Sequence, residues 1–98
     1  MTIREIGQFH IQDGKQQDFV AAFNSAVGLI TQSEGCHGAV LRQGIESPTQ
    51  FILTIEWDSV EAHQAFRDSE RLAQWRAPIT PFFAQAPHIE HYRDVASA

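Results

Sequence analysis

Apolar and polar residues alternate along residues 50–57, a pattern typical of a strand with one buried face. The large apolar residues at alternate positions are Phe51, Leu53, Ile55 and Trp57. Val60, His63 and Phe66 follow at the spacing of an amphipathic helix that ends near residue 67. Because only two residues separate the strand from the helix, we expect these two elements to pack against each other.

The rest of the chain shows the same two periodicities. We predict three further strands, over residues 3–11, 36–45 and 87–95. A long first helix is predicted over residues 15–32. Asp58 is expected to cap the second helix. Ser69 is expected to cap a further helical segment over residues 70–77, which Pro78 and Pro81 break. The order is therefore strand, helix, strand, strand, helix, strand.

This element order predicts an α+β fold. A βαββαβ chain with right-handed crossovers forms one antiparallel sheet with both helices on one face, the ferredoxin-like arrangement. We expect a single domain that covers residues 1–98. The other face of the sheet stays bare in a monomer, and a bare face that carries valine, isoleucine and leucine is an association surface. We therefore predict a homodimer formed through the sheet faces.

Composition narrows the function classes. The net charge of −5 argues against nucleic acid as a partner and disfavours binding to an anionic membrane. The single cysteine, Cys36, permits no internal disulfide and no zinc cluster. The N-terminus lacks the apolar run of a signal peptide, and no stretch approaches the ~20 apolar residues of a transmembrane helix. We expect a cytoplasmic protein with neither a nucleic-acid nor a membrane partner.

His63 is the sharpest candidate for catalysis. It lies on the inward stripe of the second helix and faces the sheet that carries Trp57. A histidine between helices and sheet is suited to act as a base, because its unperturbed pKa lies near ~6.5. The alternative is a half-buried histidine that is satisfied by a backbone carbonyl or a water molecule. The sequence shows no carboxylate in fixed register with this histidine.

Aromatic side chains supply candidate walls for an apolar pocket that binds a small aromatic substrate. These residues are Trp57, Phe66, Trp75 and Phe82. They also suit plain core packing. On the last strand His88 and Glu90 share a face, but two ligands without a third are weak evidence for a metal, and we predict none. The chain has no phosphate loop, dinucleotide fingerprint or nucleophile elbow, so we predict no cofactor.

Two segments of this chain resemble the antibiotic biosynthesis monooxygenase (ABM) domain. The run E-W-D-S-V-E-A-H-Q-A-F-R-D-S, residues 56–69, is similar to the strand-to-helix signature of that family. The run over residues 34–53 resembles the hairpin that precedes the signature. The resemblance implies a dimeric α+β barrel in which the bare sheet faces of two subunits meet. Many members of the family place their helix histidine a few residues later, where this chain has Phe66.

For function, the resemblance implies a cofactor-independent monooxygenase. Such an enzyme oxidises electron-rich polycyclic phenols with O2 and needs an apolar pocket, a base and polar groups that hold the substrate anion. His63 is the expected base. A non-catalytic dimer that binds a small metabolite, or an accessory protein, is the alternative from another class. A haem-degrading enzyme ranks third, because that branch typically has an asparagine in the first strand, where this chain has Gly7 and Gln8.

Overall fold

The fold is built on one four-stranded antiparallel sheet. In a computed structural model, which describes residues 2–98, the strands are β1 (Ile3–His10), β2 (Cys36–Gln43), β3 (Gln50–Trp57) and β4 (His88–Tyr92). They lie in the spatial order β2-β3-β1-β4. The last strand thus pairs with the first, and the predicted ferredoxin-like α+β fold is confirmed. β2 and β4 are both shorter than the strands predicted from the sequence.

The helices cover one face of this sheet. They are α1 (Gln16–Ala26), the short α2 (Gly28–Thr31), α3 (Val60–Arg67) and α4 (Glu70–Ile79), with a 3₁₀ turn at Thr80–Phe82 after them. The prediction of one continuous helix over residues 15–32 was wrong, because the helix is interrupted at Val27. Gly28, a weak helix former, follows directly, and the amide of Ile30 bonds to the carbonyl of Val27 as in a tighter turn.

The ends of the last two helices differ in part from the prediction. Pro78 does not break α4, which continues to Ile79, although proline cannot donate an amide hydrogen bond. Two features support this last turn: Trp75 and Ile79 are buried in the core, and the Thr80 hydroxyl donates to the Arg76 carbonyl at 2.7 Å. Ser69 caps α4 as predicted, since its hydroxyl accepts from the Arg71 amide at 3.2 Å.

The start of α3 corrects the predicted cap. Ser59 is the capping residue, and its hydroxyl accepts a hydrogen bond from the Ala62 amide at 3.1 Å. Asp58 instead contacts His37 through its carboxylate, and its amide donates to the carbonyl of Gly35 at 2.7 Å. The cap therefore lies one residue later than predicted, because Asp58 is held at the end of the sheet.

The core lies between the helices and the inner face of the sheet. On β3 the alternating apolar residues point inward as predicted, and Trp57 is fully buried. Phe19 of α1 packs edge-to-face on Phe51, with ring centroids 5.0 Å apart. Two polar residues of the part that the structure describes are also buried there, Glu5 and His63. Buried ionisable groups need partners, so this pair marks the region to inspect for function.

The outer face of the sheet carries exposed apolar side chains. Val40 on β2, Ile52 on β3 and Tyr92 on β4 are between 38% and 48% exposed. Exposed apolar residues on three strands of one sheet face form a surface suited to association. Within residues 2–98, no helix has both the length and the apolar composition that crossing a membrane requires.

Candidate functional site

A chain of polar side chains lies buried between the helices and the sheet. The indole Nε1 of Trp57 donates to Oε1 of Glu5 at 2.9 Å, and Nε2 of His63 lies 3.1 Å from the same oxygen. On its other side, Nδ1 of His63 lies 2.7 Å from Nε2 of His91. Glu5 and His63 are only 6% and 5% exposed, whereas His91 is partly exposed. We call this set the Glu5–His63–His91 chain.

Three elements bring these side chains together. Glu5 lies on the inner face of β1, and the register of the sheet places His91 of β4 directly opposite it. His63 descends from α3 and stacks on the ring of Trp57, with centroids 5.1 Å apart and planes 21° from parallel. The strand-to-helix connection after Trp57 sets the position of α3, so the predicted packing of β3 against α3 also orients His63.

Burial controls the charge states of the chain. It is the main cause that lowers the pKa of His63 from 6.5 to about 4, and the nearby His91 and Arg67 act in the same direction. The pKa of Glu5 is raised, because burial outweighs the opposing effect of the hydrogen bond from Trp57. His63 is therefore an uncharged imidazole at neutral pH, with both ring nitrogens within hydrogen-bonding distance of a partner.

The chain forms the polar end of an apolar cavity. The cavity has a volume of about 200 Å³ and lies between α3, α4 and the inner face of the sheet. Its apolar wall includes Phe9, Phe66, Leu72, Trp75, Phe83 and Ile89. Glu5, His63 and His91 contribute the polar part, and the exposed residues Arg67 and Arg76 lie at the open side. A concave apolar site with a few convergent polar groups is the usual form of a small-molecule site.

The ABM family model, antibiotic biosynthesis monooxygenase, matches residues 2–78 of the chain. This protein belongs to the ABM family. A candidate antibiotic biosynthesis monooxygenase from Bordetella bronchiseptica is 33% identical and superposes with a TM-score of 0.92, over 97% of this chain and 98% of that one. The uncharacterised protein YczJ of Bacillus subtilis is 32% identical over 94 residues, which are 95% of this chain and 99% of YczJ.

The same fold occurs in SnoaB of Streptomyces nogalater, a cofactor-independent oxygenase. SnoaB superposes with a TM-score of 0.86 over 98% of this chain and 95% of its own. The two sequences are only 8% identical, so the similarity is one of fold.

The residues predicted as site residues fall in different places around the cavity. His63, Phe66 and Trp75 belong to its wall. Trp57 lies behind the wall, where it supports His63 and donates to Glu5. Phe82 is not part of the wall. Its neighbour Phe83 is, and the ring of Phe83 stacks on Phe9 with centroids 5.2 Å apart.

Sequence reasoning missed two members of the chain, Glu5 and His91. The expectation that no carboxylate accompanies His63 was wrong, because Glu5 is its direct neighbour. A signal was present in the alternation: Glu5 lies on the same face of its strand as Phe9 and Ile11, where a charged residue is unusual. His91 likewise shares a strand face with Ile89.

The remaining histidines of β2 and β4 lie at the surface. His37 contacts Asp58, and His88 contacts Glu90. Both pairs are exposed, so their contribution to stability is small. In the chain from residue 2 onward, no three histidine, cysteine or carboxylate side chains are grouped so as to hold a metal ion.

Proposed function

We propose that this protein is a cofactor-independent monooxygenase that oxidises a small aromatic phenol, or its keto tautomer, with O2. The observation that supports this function is the uncharged, buried His63 at the polar end of an aromatic-lined cavity. Membership of the ABM family agrees with it. SnoaB, a cofactor-independent oxygenase, is built on the same fold, so the scaffold is suited to this chemistry.

The reaction takes its electrons from the substrate. With an anthrone, a base removes one proton from the methylene carbon beside the aromatic rings, which leaves a delocalised anion. The anion transfers one electron to O2, and the resulting radicals combine to form a carbon–oxygen bond. Protonation gives a hydroperoxide. Loss of the second methylene hydrogen as a proton then breaks the oxygen–oxygen bond, so the products are a quinone and water.

The cavity supplies what this reaction needs. Apolar walls, with Phe66, Trp75 and Phe83 as the proposed substrate contacts, exclude water and strengthen electrostatic interactions inside. The guanidinium groups of Arg67 and Arg76 at the open side favour the substrate anion. The volume of about 200 Å³ is below the ~300–1,000 Å³ typical of pockets for drug-sized ligands, which favours a compact, planar substrate.

Oxygen uptake by chelator-treated protein tests the proposed function. With anthrone in air, we expect the wild type to consume one O2 for each quinone formed. His63→Gln should lower the rate, because glutamine keeps hydrogen-bonding atoms at the polar end of the cavity but removes the imidazole. His88→Gln, which changes an exposed histidine of β4, is the control and should match the wild type. If anthrone raises the melting temperature but no oxygen is consumed, the protein is a binding module rather than an oxygenase.

We further propose that two copies associate through the outer sheet faces. The exposed Val40, Ile52 and Tyr92 support this arrangement, because a second copy would bury them. A Val40→Lys, Ile52→Lys double variant should then behave as a monomer in analytical ultracentrifugation. Ile45→Lys changes an equally apolar residue that is 89% exposed in the β2–β3 connection, and it should leave the dimer intact. A monomeric wild type would contradict the proposal.

A further inference from the structure

We infer that the atom that takes the substrate proton is Nδ1 of His91 on β4, and that His63 and Glu5 are positioning residues that hold His91 in the required tautomer. This inference rests on the proposed function and specifies its base. It follows from the hydrogen-bonding capacities of the side chains around Oε1 of Glu5.

The tautomers of His63 and His91 can be assigned in turn, starting from the indole of Trp57. Trp57 can only donate, so Oε1 of Glu5 is the acceptor of that bond. Nε2 of His63 lies 3.1 Å from the same carboxylate oxygen, which would repel a nitrogen lone pair, so His63 carries its proton on Nε2. Nδ1 of the uncharged His63 is then an acceptor. His91, whose Nε2 lies 2.7 Å from it, must donate.

This assignment leaves one free lone pair on the imidazole nitrogens of the Glu5–His63–His91 chain. Nε2 of His63 faces the Glu5 carboxylate, and Nδ1 of His63 is hydrogen-bonded to His91. Nδ1 of His91 makes no hydrogen bond to any residue between 2 and 98, and His91 is part of the cavity wall. A base must reach the proton that it removes within hydrogen-bonding distance, and of the two imidazoles only that of His91 has a nitrogen free to do so.

The arrangement also stabilises the proton once it is taken. When Nδ1 of His91 gains a proton, Nε2 of the new imidazolium donates to His63, whose Nε2 hydrogen faces the Glu5 carboxylate. The carboxylate therefore balances the positive charge through the ring of His63, as in other sites where a third group orients a base. Arg67 and Arg76, the cations at the open side, favour the substrate anion over the imidazolium. The proton returns from Nδ1 of His91 to the peroxide anion.

Deuterium exchange under argon measures proton removal without the oxygen step. Anthrone in D2O exchanges its methylene hydrogens each time the base removes one and a deuteron returns. We expect His91→Gln to slow this exchange ~10²–10⁴-fold, because glutamine keeps a donor for His63 but has no basic nitrogen. His63→Gln should slow the exchange less, since its amide offers an acceptor to His91 and a donor to Glu5. The matched control on β4, His88→Gln, should exchange at the wild-type rate.

The ¹⁵N NMR spectrum of the histidine rings tests the tautomers independently of any substrate. We expect His91 of the wild type to be protonated on Nε2 at neutral pH. His63→Leu removes the acceptor, so the same spectrum should then show a mixture of the two His91 tautomers. A residue that merely fills space would leave this ratio unchanged.

Three outcomes overturn the inference. The first is full exchange in His91→Gln with loss of exchange in His63→Gln, which would make His63 the base. The second is a wild-type His91 that is protonated on Nδ1. A wild type that fails to exchange anthrone protons also overturns it, whereas exchange without oxygen uptake in air refutes the monooxygenase and leaves His91 as a base.

Discussion

His63 gives this protein a pH-dependent stability whose size follows from its surroundings. Burial lowers the pKa of His63 from 6.5 to about 4, with smaller effects in the same direction from His91 and Arg67. A group with a depressed pKa in the folded state binds its proton more readily in the unfolded chain. The stability contributed by uncharged His63 is therefore complete above about pH 6.5 and is lost as the pH falls to about 4.

The expected loss can be stated as a free energy. A pKa that falls from 6.5 to about 4 corresponds to about 3 kcal/mol of unfolding free energy. Glu5 acts in the opposite direction, because burial raises its pKa and the folded state then holds that proton more tightly than the unfolded chain does. The net loss in the wild type is smaller for this reason, and a variant is needed to isolate His63.

Urea unfolding of the wild type and of His63→Gln isolates the contribution of His63 to stability. Glutamine keeps hydrogen-bonding atoms near Glu5 and His91 but has no group that titrates. Between about pH 7 and pH 4, we expect the wild type to lose about 3 kcal/mol more unfolding free energy than His63→Gln does. The unfolding free energy of His88→Gln should show the same pH dependence as that of the wild type over this range. A difference that does not change with pH would refute the assignment of His63 as a buried, uncharged imidazole.

Three further substitutions test other parts of the structure by urea unfolding. Trp57→Phe removes the donor to Glu5 and should cost about 1–3 kcal/mol, so an unchanged midpoint would argue against that hydrogen bond. Gly35→Ala forces alanine to a φ of 84° and places its Cβ 2.8 Å from a side-chain carbon of α3. It should cost more than Gly14→Ala, where φ is 86° but the space is open, and equal losses would mean that the contact yields. Ser59→Ala removes the cap of α3 and should cost about 1 kcal/mol; no loss would contradict the cap.

The fold could be predicted because its signals are local. The alternation along β3 places Phe51, Leu53, Ile55 and Trp57 on one face without reference to any other part of the chain. Element order then limits the topology to a few arrangements. At Pro78, tertiary packing overrides a local rule. That rule ends the helix before Pro78, but burial of Trp75 and Ile79 in the core, with Trp75 packed on Phe23 of α1, carries α4 two residues further.

The site was harder to predict because its contacts join residues that are far apart in sequence. Glu5 and Trp57 are 52 residues apart, and no local pattern indicates that they meet. A glutamate in a first strand normally lies at the surface, since burying a carboxylate without partners is costly. The pairing of β1 with β3 and the packing of α3 bring Trp57 and His63 to Glu5, and their N–H groups make this burial acceptable. His63 was recognisable because it interrupts an apolar helical stripe, and its partners were not.

In the proposed mechanism, the register of β4 decides which histidine is the base. The ABM family match covers residues 2–78 and thus includes Glu5 and His63, but His91 lies beyond it. Without His91, Nδ1 of His63 would itself be the free lone pair, and the base would be on α3. A shift of β4 by one residue would have this effect, because it would turn His91 to the outer face and place Glu90 or Tyr92 opposite Glu5. A mechanism can therefore be carried over from a relative with the same α3 histidine only when the residue opposite Glu5 is also known.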